Sequence, residues 1–179
     1  MRIISGTYGG RRLHPPTNLP VRPTTDLAKE SLFNILNNIF DYEGTSVLDL
    51  FAGTGSISFE FVSRGSADIT AIDQDNRCVS FIIKTCEEFK IDNLKAYRSD
   101  VFSYIKHTLK RYDLIFADPP YDLASLAEIP DNIFDRNLLK PDGLLIIEHP
   151  RDHDFSKHPR FSQHRKYGKV NFSFFQNGL

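Results

Sequence analysis

The 179-residue chain has few cysteines, no long apolar run and almost no net charge, and each shortage excludes a class of protein. Its two cysteines, Cys78 and Cys86, are too few for a disulfide framework or a four-cysteine zinc site. No stretch approaches the roughly 18 consecutive apolar residues of a membrane-spanning helix, and the first residues lack the apolar run of a signal peptide. We therefore expect a cytoplasmic protein with no membrane partner and no obligate protein partner.

The formal net charge of −1 conceals an uneven distribution along the chain. Residues 1–22 carry +4, residues 151–179 also carry +4, and the part between them carries −9. If both basic ends fold onto one face, that face attracts a polyanion such as nucleic acid. The alternative is that both ends are simply solvated. The basic residues of the first end are Arg2, Arg11, Arg12 and Arg22.

The order of apolar segments predicts an α/β fold. Residues 1–14 are typical of a β-hairpin, and a proline-rich linker follows, so we expect a small extension over 1–22 and a main domain over 23–179. Strands then alternate with helices, which indicates a parallel sheet covered on both faces. The last two strands are too close in sequence for a parallel crossover, so the sheet is expected to be mixed. The first helix should begin at Thr24 or Thr25 and bury Leu27, Leu32, Ile35, Leu36 and Ile39.

A glycine-rich loop follows the first predicted strand of the main domain. It contains Gly53 and Gly55, but Ser58 stands where a dinucleotide-binding loop needs glycine or alanine. Asp49 lies inside the strand, just before the loop, where its charge would repel a pyrophosphate and attract a cationic ammonium or sulfonium. S-adenosylmethionine carries both of these cations.

Two further aspartates end the next two predicted strands. Asp73 stands where a carboxylate accepts hydrogen bonds from ribose hydroxyls. Asp100, with Val101 after it, stands where it can accept a hydrogen bond from an adenine amino group. Each aspartate could instead simply cap the helix that follows it. The three acids at successive strand ends favour a nucleoside cofactor.

The fourth predicted strand ends in Asp118, Pro119, Pro120 and Tyr121. Two prolines in succession remove two N–H donors and stiffen the backbone. A planar amino group can then be held between the Asp118 carboxylate and the Pro119 carbonyl, and Tyr121 can stack on a base. The alternative for this segment is an ordinary rigid turn.

Together, the glycine-rich loop and the Asp-Pro-Pro-Tyr loop resemble those of the S-adenosylmethionine-dependent amino methyltransferases. Other stretches narrow the resemblance to the RsmD family, bacterial methyltransferases of the guanine N2 amine in 16S ribosomal RNA. They are Met1 to Gly6, Arg22 to Asp26, Ser31 to Leu36 and Ser63 to Gly65.

The resemblance implies a Rossmann-like class I methyltransferase fold with a seven-stranded mixed sheet. It implies cofactor contacts at Asp49, Phe51, Gly53, Gly55, Asp73, Asp100 and Val101, and amine handling by Asp118, Pro119, Pro120 and Tyr121. The arginines at 2, 11, 12 and 22 would bind RNA phosphates, within a small-subunit ribonucleoprotein. Leu27 stands where the family often has arginine or lysine, and Asp73 where it usually has glutamate.

Three other functions compete with this one. An N6-adenine or N4-cytosine methyltransferase acting on RNA or DNA would use the same amine loop. A non-catalytic ribosome-binding protein would not need intact acids in the cofactor loop. A nicotinamide dehydrogenase disagrees with Asp49 and Ser58. The histidines at 149, 153, 158 and 164 lack a regular metal-ligand motif, so no metal is expected.

Overall fold

The computed structural model describes residues 1–19 and 25–178 of the chain. Its helices are α1 Asp26–Ile39, α2 Ser56–Ser63, α3 Asn76–Phe89, α4 Val101–His107 and α5 Ile129–Asp135. Its strands are β1 Ser46–Leu50, β2 Asp68–Asp73, β3 Leu94–Arg98, β4 Tyr112–Ala117, β5 Leu139–His149, β6 Phe161–Tyr167 and β7 Val170–Gln176. No described helix is long and apolar enough to cross a membrane.

The seven strands form one sheet in the order β3-β2-β1-β4-β5-β7-β6. The pairs among β1 to β5 are parallel, whereas β7 is antiparallel to both β5 and β6. The predicted mixed sheet of a class I methyltransferase is therefore confirmed. Strands β2 and β3 are added on one side of β1, and β4 and β5 lie on its other side. Open α/β sheets bind ligands where the strand order changes direction in this way, which is here between β1 and β4.

Apolar side chains cover both faces of the sheet because successive strand residues point to opposite sides. One core cluster includes Val47, Phe116 and Ile146 and packs against α1, α2 and α3. The other includes Leu48, Ile115 and Ile147, together with residues of α4 and α5. Strands β1, β2 and β4 are buried on both faces, as their short apolar runs predicted, whereas β3 lies at the edge of the sheet and is mostly exposed.

Helix α1 begins one residue after Thr25, whose side chain accepts a hydrogen bond from the Ala28 N–H. Its predicted buried face was wrong at both ends, because Leu27 is 70% exposed and Ile39 is 52% exposed. The buried face is Ala28, Lys29, Leu32, Phe33 and Leu36. This face is rotated about the helix axis relative to the predicted one, because the polar residue Lys29 lies in the core.

The N-terminal segment joins the main core. Arg2 and Arg12 form an isolated antiparallel bridge, which is shorter than a hairpin of two strands. Ile3 and Leu13 belong to the same core cluster as α1 and α2. A Cβ atom at Gly6 would overlap the Ser63 carbonyl oxygen, so only glycine permits this close approach. Part of the predicted linker, residues 20–24, lies outside the described residues.

One strand boundary in the C-terminal half differs from the prediction, which places a turn at 141–143 and begins the strand at 144. Strand β5 begins at Leu139 instead, because a register irregularity relative to β4 lets the pairing resume after that turn. Asp142 takes a left-handed conformation there, with φ of 60°. The segment predicted as helical or irregular contains the short helix α5.

Candidate active site

Four carboxylates lie on one face of the sheet at its carboxyl edge. Val47, Ala71, Phe116 and Ile146 belong to one core cluster. Two residues beyond them along their strands stand Asp49, Asp73, Asp118 and Glu148. Since side chains two apart on a strand share a face, these acids project to the same side. The predicted acids at 49, 73 and 118 are thus brought together, and Glu148 joins them.

The loop after β1 turns sharply on residues with left-handed backbones. The φ angles are 61° at Phe51, 55° at Gly53 and 73° at Gly55. For an aromatic residue such as Phe51 a positive φ is a strained conformation, and such strain concentrates at ligand sites. A Cβ at Gly55 would lie 2.9 Å from the Ile82 side chain, so a larger residue would also disturb packing against α3.

Asp49 stabilises the start of α2 from the neighbouring strand. Its Oδ2 accepts hydrogen bonds from the N–H of Ser58, at 3.1 Å, and from the Ser58 hydroxyl. Helix α2 has Gly55 at its N-cap and therefore no side-chain cap of its own. Burial, which leaves Asp49 1% exposed, is the main cause that raises its pKa to about 7, with a smaller contribution from the charge of Asp73. A nearby cation would favour the ionised form.

Asp73 braces the same loop from β2. Its Oδ2 accepts a hydrogen bond from the Gly53 N–H, and its Oδ1 accepts one from the Asp75 N–H, both at 2.8 Å. An ionised carboxylate has about four lone-pair sites, so these two bonds leave acceptor capacity for ribose hydroxyls.

Asp100 caps α4, because its Oδ1 accepts a hydrogen bond from the Ser103 N–H at 2.8 Å. Val101, the next residue, is buried in the core cluster on the other face of the sheet. The capping alternative raised from the sequence therefore applies to Asp100. It uses one of the two carboxylate oxygens, and a role toward adenine is compatible with the other.

The Asp-Pro-Pro-Tyr loop follows β4 and lies beside the glycine-rich loop. The Asp118 N–H donates at 3.3 Å to the carbonyl of Leu50, the last residue of β1, so the two loops leave the sheet side by side. Pro119 is buried, whereas Pro120 is exposed and Tyr121 is 42% exposed. Burial raises the pKa of Asp118 well above its ordinary value, and the charges of Glu148 and Asp49 raise it further.

Glu148 is the last residue but one of β5 and contacts the amine loop. The Tyr121 hydroxyl donates to Glu148 Oε1 at 3.0 Å, which orients the tyrosine ring. Glu148 was not among the predicted site residues. Its place could have been found from the apolar run of β5, since that run ends in an acid just as β4 does.

The predicted RNA-binding arginines have different surroundings. Arg2 is paired with two acids of α1, at 3.2 Å from Asp26 and 3.5 Å from Glu30. The Arg11 guanidinium lies near the rings of Tyr8 and Phe89. Arg12 is exposed, and Arg22 lies outside the described residues.

A buried lysine that sequence reasoning missed connects the N-terminal segment to the glycine-rich loop. Lys29 Nζ lies 3.1 Å from Glu60 Oε1. It also donates to the Arg2 carbonyl and, at 3.2 Å, to the hydroxyl of Ser56, the first residue of α2. The Ile4 N–H donates to the same Glu60 oxygen. The signal for this cluster was a lysine at helical spacing from Leu32, Phe33 and Leu36.

These groups fit a cationic nucleoside cofactor. The glycine-rich loop lets backbone approach a ligand, Asp73 can accept from ribose, and the buried Asp49 supplies negative charge for an ammonium or sulfonium. In the described parts of the chain, no group of three or more histidine, cysteine or acidic side chains could hold a metal ion.

Known proteins resemble this chain over nearly its whole length. A family model described as Conserved hypothetical protein 95 matches residues 1–176. The Bacillus subtilis protein named "Putative rRNA methyltransferase YlbH" is 36% identical over 158 residues, which cover 85% of this chain and 84% of the relative. "Ribosomal RNA small subunit methyltransferase D" of Escherichia coli is 30% identical over 179 residues, covering 98% and 89%. The solved structure of "Putative methyltransferase yhhF" from Escherichia coli has a TM-score of 0.88 at 29% identity, with 99% and 98% covered.

Proposed function

The chain belongs to the family described as Conserved hypothetical protein 95, the RsmD family of the sequence prediction, and from that premise we propose that it methylates the N2 amine of a guanine in 16S ribosomal RNA. It is an S-adenosylmethionine-dependent ribosomal RNA methyltransferase. We propose in particular that the target is a guanine N2 amine, that the RNA is 16S ribosomal RNA, and that it is methylated within a ribonucleoprotein. We also propose a cytoplasmic location, where ribosomal subunits would be the substrate.

The observation that carries the proposal is the junction of the two loops. The Asp118 N–H donates to the Leu50 carbonyl at 3.3 Å, so the amine-handling loop lies directly beside the turn at Phe51. A planar amine held by the one loop is thereby brought to a cofactor held by the other. Such positioning of two reactants supplies much of the rate acceleration in group transfer.

S-adenosylmethionine, when bound, supplies an electrophilic methyl group on a sulfonium. The loop after β1, with Asp49 and Asp73, would hold it, and Asp100 with Val101 would lie toward its adenine. The negative charge of Asp49 favours the cationic form of the ligand.

Asp118 and the Pro119 carbonyl orient the amine. Both accept hydrogen bonds from its two protons, which favours a pyramidal nitrogen with its lone pair free to attack. The environment that raises the pKa of Asp118 also makes its carboxylate a stronger base for the proton that leaves the methylated nitrogen. Asp118 must therefore be ionised before transfer.

Tyr121 would hold the target base after it leaves its stack. Its ring is oriented by the hydroxyl contact to Glu148 and is partly exposed, which suits stacking on a base. The N-terminal extension, residues 1–22, would contact backbone phosphates, which set affinity and salt dependence. Arg12 is exposed and available for that role, whereas Arg2 is already paired with acids.

Product analysis tests the proposal. Small-subunit particles from cells that lack the enzyme are incubated with the protein and labelled S-adenosylmethionine, and the RNA is digested to nucleosides. We expect N2-methylguanosine in 16S RNA. Label in N6-methyladenosine or N4-methylcytosine would instead support one of the alternative amine substrates. An absence of label in any nucleoside would contradict the assignment.

A further inference from the structure

A second basic surface lies at the same edge of the sheet as the candidate active site. Because β7 is antiparallel to β5, Asn171 near its start is in register with His149 at the end of β5. The turn between β6 and β7 therefore lies beside the carboxyl end of β5. Three exposed cations, Arg165, Lys166 and Lys169, stand at this turn and form what we call the turn patch.

The two basic ends of the chain reach the site from opposite sides. The N-terminal segment lies against α2 and the glycine-rich loop, where the Thr54 hydroxyl contacts the Met1 sulfur at 3.2 Å. The turn patch lies across β5 and β7 from β4, which carries Asp118. Neighbouring strands are about 4.8 Å apart, so β6 is about 14 Å from β4. The acidic site is thus flanked by positive charge.

We propose that the turn patch binds backbone phosphates of the RNA substrate, on the other side of the target nucleotide from the N-terminal arginines. The inference rests on the proposed function. No ion pair joins the three cations to an acid among the described residues, so their charge is available to a polyanion. Phosphate contacts on both sides of a nucleotide would hold the strand while its base is turned into the pocket.

The test measures methyl transfer to small-subunit particles as a function of salt. For the triple variant Arg165→Ala, Lys166→Ala, Lys169→Ala we expect a KM at least ~10-fold higher, a much smaller change in kcat, and a shallower salt dependence. For each phosphate that the variant no longer neutralises, the slope of log(kcat/KM) against log salt should fall by about 0.7–0.9. Lys84→Ala, a single exposed cation on α3, is the control and should match the wild type.

The proposal for the turn patch would be overturned if the triple variant had the salt dependence, the KM and the unfolding midpoint of the wild type. Weaker binding to ribosomal proteins but not to bare RNA would overturn it as well, since phosphates would not be the partner. If the wild-type protein makes no methylated nucleoside, the proposed function fails instead.

Glu148 carries a second, independent inference. On β4 and β5, Ala117 is in register with Ile147, so the next residues, Asp118 just after β4 and Glu148 near the end of β5, lie side by side. Glu148 is 6% exposed, and it receives the hydroxyl of Tyr121, the residue expected to hold the base. It therefore adjoins both the amine-handling and the stacking groups.

The edges of the candidate bases differ in the atom beside the reactive amine. On the Watson–Crick edge of guanine, the neighbour of N2 is N1, which carries a hydrogen. In adenine the neighbour of N6 is a bare N1, and in cytosine the neighbour of N4 is a bare N3. An ionised carboxylate accepts hydrogen bonds and cannot donate one. A carboxylate therefore attracts the N1–H of guanine and repels the lone pair on N1 of adenine or N3 of cytosine.

We infer that Glu148 accepts a hydrogen bond from N1–H of the target guanine, while Asp118 and the Pro119 carbonyl accept those of the N2 amine. On this basis Glu148 is the residue that selects guanine over adenine and cytosine, which the Asp-Pro-Pro-Tyr loop alone cannot do. The inference rests on the proposed function and adds to it the means of base selection.

The test uses 2-aminopurine, which keeps the N2 amine of guanine but has a bare N1. Particles are reconstituted with either base at the target nucleotide, and kcat/KM is measured for both. We expect the wild type to prefer guanine by ~100-fold, because a buried carboxylate left facing a lone pair is costly. In Glu148→Gln the amide can donate to the bare N1, so the preference should shrink at least ~10-fold.

Tyr121→Phe is the matched variant, since it removes the hydroxyl contact and keeps the carboxylate. It should lower both rates and leave the preference unchanged. If Glu148 only braced Tyr121, Glu148→Gln would also lower both rates equally, and that result would overturn the inference. A wild-type enzyme that methylates neither base would instead count against the proposed function.

Discussion

Lys29 and Glu60 form an ion pair whose two side chains are both 0% exposed, with Nζ 3.1 Å from Oε1. Arg64 adds a second cation, 3.4 Å from the other Glu60 oxygen. Lys29 also reaches the Arg2 carbonyl and the Ser56 hydroxyl. One buried cluster therefore links the N-terminal segment, α1 and the start of α2.

Replacing one member of this pair should strongly destabilise the protein. In Glu60→Gln, the Lys29 ammonium stays buried without its counter-ion, which typically costs about 3–5 kcal/mol. Urea unfolding would measure the loss. The exposed Glu88→Gln, on α3, should change stability by less than about 0.5 kcal/mol. Equal small effects for both variants would show that the pair contributes little.

Removing the Asp118 carboxylate should stop transfer without stopping cofactor binding. We expect Asp118→Asn to lower kcat by at least ~100-fold, since the amide keeps one acceptor oxygen but loses the negative charge and cannot take the amine proton. Calorimetry should give a dissociation constant for S-adenosylmethionine within a few-fold of wild type. The control is Asp92→Asn, an exposed residue at the opposite edge of the sheet. Full turnover by Asp118→Asn on ribosomal particles is the result that would contradict the assignment.

Asp73→Ala should weaken cofactor binding by ~10-fold or more. The variant loses both the proposed ribose acceptor and the hydrogen bond that fixes the Gly53 N–H, and bonds to a charged group contribute about 1.5–3 kcal/mol each. Asp68→Ala, at the other end of β2, is the matched control. An unchanged dissociation constant in Asp73→Ala would remove this residue from the cofactor site.

Cofactor binding should strengthen as the pH rises through about 7. Burial raises the pKa of Asp49 to about 7, so the carboxyl is partly protonated in the free protein near neutral pH. A cationic ligand favours its ionised form, and binding at pH 6 should therefore release a proton. Calorimetry in buffers of different ionisation enthalpy measures that release. Asp49→Asn should abolish it.

The Asp49 carboxyl gives folding stability the opposite dependence on pH, so that stability falls as the pH rises. Between its unfolded pKa of 3.8 and about 7, the native state holds the Asp49 proton more tightly than the unfolded state. The contribution of Asp49 to stability is thus present at low pH and is lost as the pH rises through that window. Between pH 5 and pH 8 the wild type should lose more stability than Asp49→Asn does. An equal loss in both would show that the Asp49 pKa is ordinary.

The sequence predicted the central strands well because they are short apolar runs buried on both faces. Strand β2, predicted over residues 68–73, has those bounds in the structure. The face of α1 was misjudged because Lys29 is buried against a glutamate on another element, and a partner 31 residues away leaves no local signal. The start of β5 was missed because pairing with β4 resumes across a turn.

The candidate site was predictable where it depends on strand ends. Asp49, Asp73 and Asp118 each follow an apolar run, and parallel strands bring their carboxyl ends to one edge. What the sequence could not supply is the use of each oxygen. The bond from Ser58 to Asp49 depends on how α2 docks on β1, and the bond from Gly53 to Asp73 depends on how the glycine-rich loop lies against β2.

The left-handed turn at Phe51 has a consequence for how the pocket meets its ligand. A residue of this kind does not hold a φ of 61° by local preference, so the surrounding fold fixes the turn before any ligand arrives. Binding then need not order this segment, and little conformational entropy is lost there. The cofactor loop therefore keeps the same conformation through repeated cycles of cofactor binding and release.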